Sequence, residues 1–417
     1  MRKINVSFLG CGNIGGGVWA LLEDMRADIA RSFNVEFVVR KMLVKALDEP
    51  RAVAVPSELL TTDANDVLED PEISLVCEFM GGEQPAASFM LMALKSGKNV
   101  VTANKMALSL HWQELHDAAK ESNAAILYEA SVCGAIPVIR TVRTAMTGSR
   151  IDKVCGIVNG TTNYILTQMC DNGLSYADAL SQAQQLGLAE PDPTSDVEGY
   201  DAAYKLSILC ALCFGTLVLP GDIARCGISS VDIQDIRLGA KLGYALKLLA
   251  RAEKDAEGVH CSVSPTFVSQ KNQLYHVNGA FNGVTLHGHA SDDIFLFGRG
   301  AGALPTASAI VADMVQAASG RYEFTARQDF IACKTFASAK CPYYIRVSSQ
   351  NAAKAVLCAN EILKSSKVDM QMLSLDADEY AVMITPPVDC EIIRQLSAEI
   401  ENTSGEKSVC WPIEDLS

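Results

Sequence analysis

The densest chemistry in the chain is the run Gly187-Leu-Ala-Glu190-Pro-Asp-Pro-Thr-Ser-Asp-Val-Glu-Gly-Tyr-Asp201-Ala-Ala-Tyr-Lys205. A carboxylate-rich loop, stiffened by Pro191 and Pro193, runs into an apolar helix that includes Tyr204, Leu206, Ile208, Leu209 and Leu212. Asp201 and Lys205 are four apart, so on a helix they share one face. Glu190 precedes them on the loop. An anion, a cation and a further acid beside an apolar wall can grip an amino acid and donate a proton. The same spacing also describes an ordinary i,i+4 ion pair beside a solvated acidic loop, so the run alone leaves both readings open.

The N-terminus points to a nucleotide. Lys3-Ile-Asn-Val-Ser-Phe-Leu9 reads as a short buried strand. It runs straight into Gly10-Cys-Gly12-Asn-Ile-Gly15-Gly-Gly17, and Val18, Leu21 and Leu22 then open a helix. Gly10 permits a tight turn, Gly12 lets backbone approach a pyrophosphate, and Gly15 lets helix and strand pack closely. The helix start supplies N–H groups and partial positive charge for phosphates. The second strand is expected over 35–44. An acid at its end would hold a ribose 2′-hydroxyl, whereas a base suits a 2′-phosphate. Lys45 follows it and Arg51 lies further on, which favours NADP(H). Asp48 and Glu49 lie between them and keep NAD(H) open.

These motifs need elements to position them, and the 417-residue chain is long enough for two or three domains with an ample core. A hydrophobic share of 49% and a charged share of 20% fall within the globular range. The formal charge of −14 argues against nucleic-acid and anionic-membrane partners. The 14 Cys are scattered without framework spacing, as expected for reduced thiols in the cytoplasm. Cys210-Ala-Leu-Cys213 lies in the apolar helix and reads as core packing. No stretch reaches the length of a spanning helix, and the N-terminus reads as a strand rather than a signal peptide.

Further strands are expected at 73–80, ending in Gly81-Gly82, and at 99–103, with a helix over 84–96 between them, capped by Gly97. Thr102 lies near the end of the 99–103 strand, and Asn104-Lys105 follow at its carboxyl end, where open parallel sheets bind ligands. Lys105 is placed there to meet a substrate or cofactor anion, or is a plain surface lysine. After a strand at 124–128 comes Glu129-Ala-Ser-Val132-Cys-Gly134-Ala-Ile136-Pro137. A carboxylate with turning carbonyls can ligate a hard cation, and a satisfied turn reads equally well. Beyond it, segments 153–158 and 164–169 flank Asn159-Gly-Thr-Thr-Asn163. Residues 233–250 read as one long helix. A second glycine loop runs over 295–302, and a helix at 307–318 returns to the nucleotide domain.

Taken together, these residues resemble homoserine dehydrogenase over residues 1 to about 320. The matching motifs are GCGNIGGG, VVTANK, YEASVCGAIP, GIVNGTTNYIL, GLAEPDPTSDVEGYDAAYK, GDI and FGRGAG, in order. The chain looks like the monofunctional form rather than one fused to aspartate kinase. The resemblance implies an α/β chain. Its Rossmann-type dinucleotide-binding domain would span 1–136, completed by about 300–320, with an α+β substrate and dimerisation domain over 137–320. It implies reversible NAD(P)H-dependent reduction of L-aspartate 4-semialdehyde to L-homoserine, in threonine, methionine and isoleucine biosynthesis. Lys205 would be the general acid, Asp201 would orient it and touch the substrate, and Glu190 would bind the substrate ammonium. Lys105 would contact the nicotinamide end or the reacting centre. The cofactor residues would be Gly10, Gly12, Asn13, Ile14, Gly15, Lys45, Thr102, Lys105 and Gly302. Glu129, with the carbonyls of Val132, Gly134 and Ile136, matches the family's monovalent cation site, usually sodium, in a structural role.

The tail over 340–417 reads as a separate unit. Strands are expected at 343–347, 370–375, 379–384 and 409–413, with helices at 352–365 and 391–401. The order βαββαβ resembles an ACT regulatory domain, which in this family implies L-threonine as effector. The first loop departs from the family pattern: Ser348-Ser-Gln-Asn-Ala-Ala-Lys354 carries neither Pro nor Gly. Regulation and assembly, as a homodimer or homotetramer, both stay open. Two rivals to the whole reading are another NAD(P)-dependent dehydrogenase on the same fold and a non-catalytic amino-acid sensor.

Overall fold

Val76, Val100 and Val101 are buried without alternation, as strands covered on both faces require. They belong to a six-stranded parallel sheet made of β1 (Arg2–Leu9), β2 (Val35–Leu43), β3 (Leu60–Thr61), β4 (Leu75–Glu78), β5 (Asn99–Thr102) and β6 (Ile126–Leu127). The order is β3-β2-β1-β4-β5-β6, so the chain reverses direction across the sheet between β1 and β4. The computed structural model describes residues 1–320, 334–363, 369–375 and 378–414. Two compact units divide the chain. The first is Met1–Ile151, Tyr204–Pro220 and Gly288–Ala332; the second is Asp152–Ala203, Gly221–His287 and Cys333–Ser417.

In the first unit the helix Asn13–Phe33 follows β1 and stops at Asn34, whose left-handed φ of 56° turns the chain into β2. The helix Ala303–Ser319 shares its core: Ala307, Ile310 and Met314 lie with Val6, Phe8 and Val18. A Cβ on Gly17 would stand 3.0 Å from the Ala303 carbonyl oxygen, so glycine lets these two helices approach. Helix Ala303–Ser319 starts four residues before the 307 expected from its apolar run.

The second unit is built on a mixed sheet. Its strands are β7 (Ile151–Ile157), the short β8 (Ala224–Arg225), β9 (Tyr244–Lys254), β10 (Val259–Ser269) and β11 (Phe281–Gly288). β12 (Asp292–Arg299) belongs to the first unit. The second unit continues with the short β13 (Thr335–Phe336), β14 (Tyr343–Ser348), β15 (Asp369–Leu375), β16 (Asp378–Ile384) and β17 (Val409–Glu414). The path runs β11-β7-β9-β10-β17-β14-β16-β15. The tail has the expected βαββαβ order, with helices Ala352–Leu363 and Cys390–Ser404. Residues 364 and 365 of the expected first helix, and residues 415–417 of the tail, lie outside the described residues.

One segment differs from expectation. The helix over 233–250 is instead a helix Ile233–Lys241 followed by β9. Gly243, at φ 84°, breaks the helix, and pairing with β10 from Tyr244↔Ser269 to Lys254↔Val259 takes the rest. Long-range ladder bonds thus override an apolar spacing that also fits a helix. Segment 164–169 lies within a helix, Gly160–Asn172.

β17 joins this sheet through a buried acid. Glu414 accepts from Lys153 Nζ at 2.6 Å and Arg251 Nε at 2.9 Å, linking β17 to β7 and β9. Burial opposes the Arg251 charge, and Glu414 together with the neighbouring Cys341 and Cys155 sulfurs more than restores it. Glu414→Ala leaves two cations without their anion and is expected to cost about 3–5 kcal/mol. Urea unfolding checks this, and an unchanged midpoint would refute it.

Candidate active site

In the first unit, the turn after β1 is dictated by what cannot fit. Gly10 has φ +107°, and a Cβ there would press 3.1 Å from the Phe79 backbone. A Cβ on Gly15 would stand 2.5 Å from the Gly10 carbonyl oxygen. Gly12 is different: nothing lies within 4 Å of its Cβ position, so the turn is open on that side. Gly12 is also the N-cap of helix Asn13–Phe33, and no side chain caps it. Asn13, Ile14 and Gly15 therefore begin the helix with N–H groups that have no intrahelical acceptor, the arrangement that takes phosphate. Gly10 N–H donates to Leu43 O and Phe79 N–H to Leu9 O, which pins the turn between the ends of β2 and β4. This is the reversal point of the sheet, where open α/β folds bind ligands.

Lys45 is exposed two residues beyond β2. Arg51 donates to the carbonyls of Ala46 (2.7 Å), Glu49 (2.7 Å) and Leu47 (3.2 Å), and so closes the loop between them. Burial raises the Cys11 thiol in the glycine turn, and Arg51 opposes that shift, which places the guanidinium against the turn. Asp48 and Glu49 are exposed on the same loop.

Glu78, at the end of β4, organises the next loop and was not singled out from sequence. It is fully buried. Its Oε2 accepts from Thr102 Oγ1 at 2.7 Å, and its Oε1 accepts from Met80 N–H at 2.7 Å and Asn104 Nδ2 at 3.3 Å. Burial raises its carboxyl, and these donors pull the other way. Asn104 also donates to Gly82 O at 2.8 Å and caps the helix Lys105–Leu110 through Ala107 N–H. Lys105 is the first residue of that helix and is half-buried. The Thr102 hydroxyl donates its proton to Glu78 and accepts from Asn104 N–H at 2.9 Å. The sequence signal was an acid closing the apolar run Leu75-Val-Cys-Glu78.

Glu129 is buried too. Its carboxylate accepts from Ile139 N–H at 2.9 Å and Arg140 N–H at 2.8 Å, capping the short helix Val138–Arg140. Its own N–H donates to Asp313, which also takes Arg140 at 3.2 Å. Burial raises the Glu129 carboxyl and pushes Asp313 to about 7. Val132, Gly134 and Ile136 are buried beside it in sequence. Gly134 has φ +53°, and a Cβ there would meet Gly300 O at 2.6 Å. The candidate cation loop thus packs on the second glycine loop, whose Gly302 caps helix Ala303–Ser319. Among the described residues no three His, Cys, Asp or Glu side chains gather into a metal-binding group.

In the second unit, Glu190 is exposed, and its carbonyl accepts from Gln184 Nε2 at 3.2 Å. Asp201 lies in the first turn of helix Tyr200–Phe214, is 4% exposed, and accepts from Asn159 Nδ2 at 2.8 Å. The same amide nitrogen donates to Asp196 at 2.7 Å, a residue that spacing did not single out. Lys205 follows one turn along this helix, past Ala203 where the chain passes into the first unit, and is 9% exposed. Cys210 and Cys213 are buried on it as well, and burial pushes the Cys213 thiol to about 12, in keeping with core packing.

An open glycine turn on a helix N-terminus, at the reversal point of a parallel sheet, defines a dinucleotide-binding oxidoreductase class. The family described as homoserine dehydrogenase, NAD binding domain, matches residues 10–129, and the family described as homoserine dehydrogenase matches residues 137–315. The homoserine dehydrogenase of Bacillus subtilis is 41% identical over 315 residues, 76% of this chain and 73% of that one. The crystal structure of a homoserine dehydrogenase from Thiobacillus denitrificans aligns with a TM-score of 0.93 at 34% identity, covering 100% of this chain and 99% of that one. A hyperthermophilic archaeal homoserine dehydrogenase in complex with NADPH aligns at 26% identity and a TM-score of 0.65, covering 78% of this chain and 100% of that one. The chain belongs to the homoserine dehydrogenase family. It is an NAD(P)-dependent oxidoreductase acting on the CH–OH group of homoserine. No helix among the described residues is long and apolar enough to cross a membrane.

Every group facing the Glu78 carboxylate is a donor. Glu78→Gln turns an amide NH2 toward one of them and is expected to cost about 1–3 kcal/mol of stability. It should also weaken nucleotide binding. Thermal unfolding with and without NADP+ measures both, and a variant that matches the parent in each would contradict the role.

Proposed function

We propose that Lys205 is the general acid of this homoserine dehydrogenase, with Asp201 orienting it, Glu190 receiving the substrate ammonium and Lys105 serving the nicotinamide end or the reacting centre. The observation that carries this reading is the burial of Asp201 and Lys205 on one turn of the Tyr200–Phe214 helix. Charged side chains are rarely buried unless paired or put to use. Bound nicotinamide supplies or accepts the hydride. In reduction, the Lys205 ammonium gives its proton to the carbonyl oxygen of aspartate 4-semialdehyde as hydride reaches the carbon. Its charge also stabilises the forming alkoxide. In oxidation, the Lys205 amine takes the hydroxyl proton. Homoserine and NAD(P)+ then give the semialdehyde, NAD(P)H and H+, so alkaline pH favours oxidation. Buried Leu206, Ile208 and Leu209 supply the apolar side of the helix.

NADP(H) is the preferred cofactor in this reading, supported by exposed Lys45 and by Arg51 against the glycine turn. Glu129 fits a structural sodium held with the carbonyls of Val132, Gly134 and Ile136. Its carboxylate is buried against its own charge, and two N–H contacts leave lone pairs free for an ion. The tail serves subunit pairing rather than threonine binding. Glu406 accepts from Ser348 N–H (3.1 Å), Ser348 Oγ (2.6 Å) and Asn351 Nδ2 (2.7 Å). The chain's own carboxylate therefore occupies the donors of the loop after β14. The biosynthesis of threonine, methionine and isoleucine is the context in which this reaction would run.

Turnover is followed by nicotinamide absorbance with L-homoserine at alkaline pH. Lys205→Ala is expected to lower kcat by about 10²- to 10⁴-fold. A variant within a few-fold of the parent would remove Lys205 from the chemistry. NADP+ should give the higher kcat/KM, and Lys45→Ala should narrow its lead over NAD+. A clear preference for NAD+ would reverse the cofactor assignment. Millimolar L-threonine should leave the rate unchanged, and inhibition would restore the regulatory role of the tail.

A further inference from the structure

The geometry points to Asn159 as a positioning residue that fixes Asp201 and ties the Glu190 loop to the start of the Asp201 helix. This rests on the proposed role of Asp201. Asn159 is buried at 5% exposure and is the N-cap of helix Gly160–Asn172. Its amide is used on both sides. Oδ1 accepts from Thr162 N–H at 2.8 Å and Thr162 Oγ1 at 3.0 Å. Nδ2 donates one hydrogen to Asp201 Oδ2 at 2.8 Å and the other to Asp196 Oδ1 at 2.7 Å. The amide cannot be flipped, because its oxygen would then meet two carboxylates and its nitrogen an N–H.

An N-cap alone needs only the oxygen; serine, threonine and aspartate supply that equally well. The two N–H donors are surplus to capping, and both go to acids. They bind two carboxylates at once, that of buried Asp201 and that of half-buried Asp196. The same turn holds the loop a second time, through Thr161 Oγ1 to Leu188 O at 2.7 Å. Asp196 lies in the short helix Thr194–Val197 that follows Glu190, and Asp201 on the helix that carries Lys205. One amide thus sets the register between the two stretches that the proposed mechanism uses.

Asn159→Ser separates capping from positioning, because serine keeps the acceptor for Thr162 N–H and loses both donors. The expected result is a thermal midpoint close to the parent's, a fall in kcat of tenfold or more with homoserine, and an unchanged KM for NADP+. In an Asp201→Asn background the same substitution should cost less than twofold, because its effect passes through Asp201. An Asn159→Ser enzyme within twofold of the parent would overturn the inference, as would an equal loss in both backgrounds. Should Asn159→Ser fail to fold, Asn159→Thr, also a cap and also without the two donors, takes its place under the same criteria. Full activity of Asp201→Asn by itself would instead sink the role of Asp201, and so marks the failure of the underlying reading separately.

Discussion

Removing a charge from water is costly unless hydrogen bonds or an opposite charge wait for it, and this constraint governs the molecule. Asp201, Lys205, Glu78, Glu129 and Glu414 are all buried. For each acid the structure supplies donors fixed before any ligand arrives. Asp201 has the Asn159 amide, Glu78 has a hydroxyl, an amide and a backbone N–H, and Glu129 has the start of a short helix. Glu414 has two cations. Each acid takes at least one donor from another element, so each is also a tie between elements.

That use of acids explains how rigid backbone reaches the cofactor site. The glycine turn is shaped by exclusion, since side chains at positions 10 and 15 would strike backbone atoms. The neighbouring loop is shaped by attraction, since Glu78 draws Thr102, Asn104 and the 80–82 backbone together. Lys105 stands at the head of a capped helix as a consequence. Preorganisation of this kind leaves little rearrangement to be made when hydride and proton move.

The tail shows the same principle applied to assembly. β17 enters the sheet beside β10, with Phe267 opposite Ile413, and Glu414 follows as the buried anion of Lys153 and Arg251. The last described strand is therefore part of the second unit's sheet rather than a loose appendage. At the other end of the tail, Glu406 fills the donors of the loop after β14.

Local rules made much of this legible in the sequence. The strand–glycine–helix order of residues 3–22 permits few alternatives, because only glycine tolerates those contacts and angles. Asp201 and Lys205 were readable because helical geometry alone puts residues four apart on one face. The βαββαβ order of the tail followed from period and turn residues. Tertiary structure decided the rest. Residues 244–250 became a strand because β10 offered a ladder that no local window contains. Asp196 and the amide donors of Asn159 carried no local signal, and Glu78 showed only as an acid closing an apolar run, since the contacts that give them their places reach 24 to 42 residues along the chain and exist only once it has folded. Sequence fixes which residues can share a turn or a face, whereas the pairing of buried polar groups depends on distances between segments, and only the folded chain sets those.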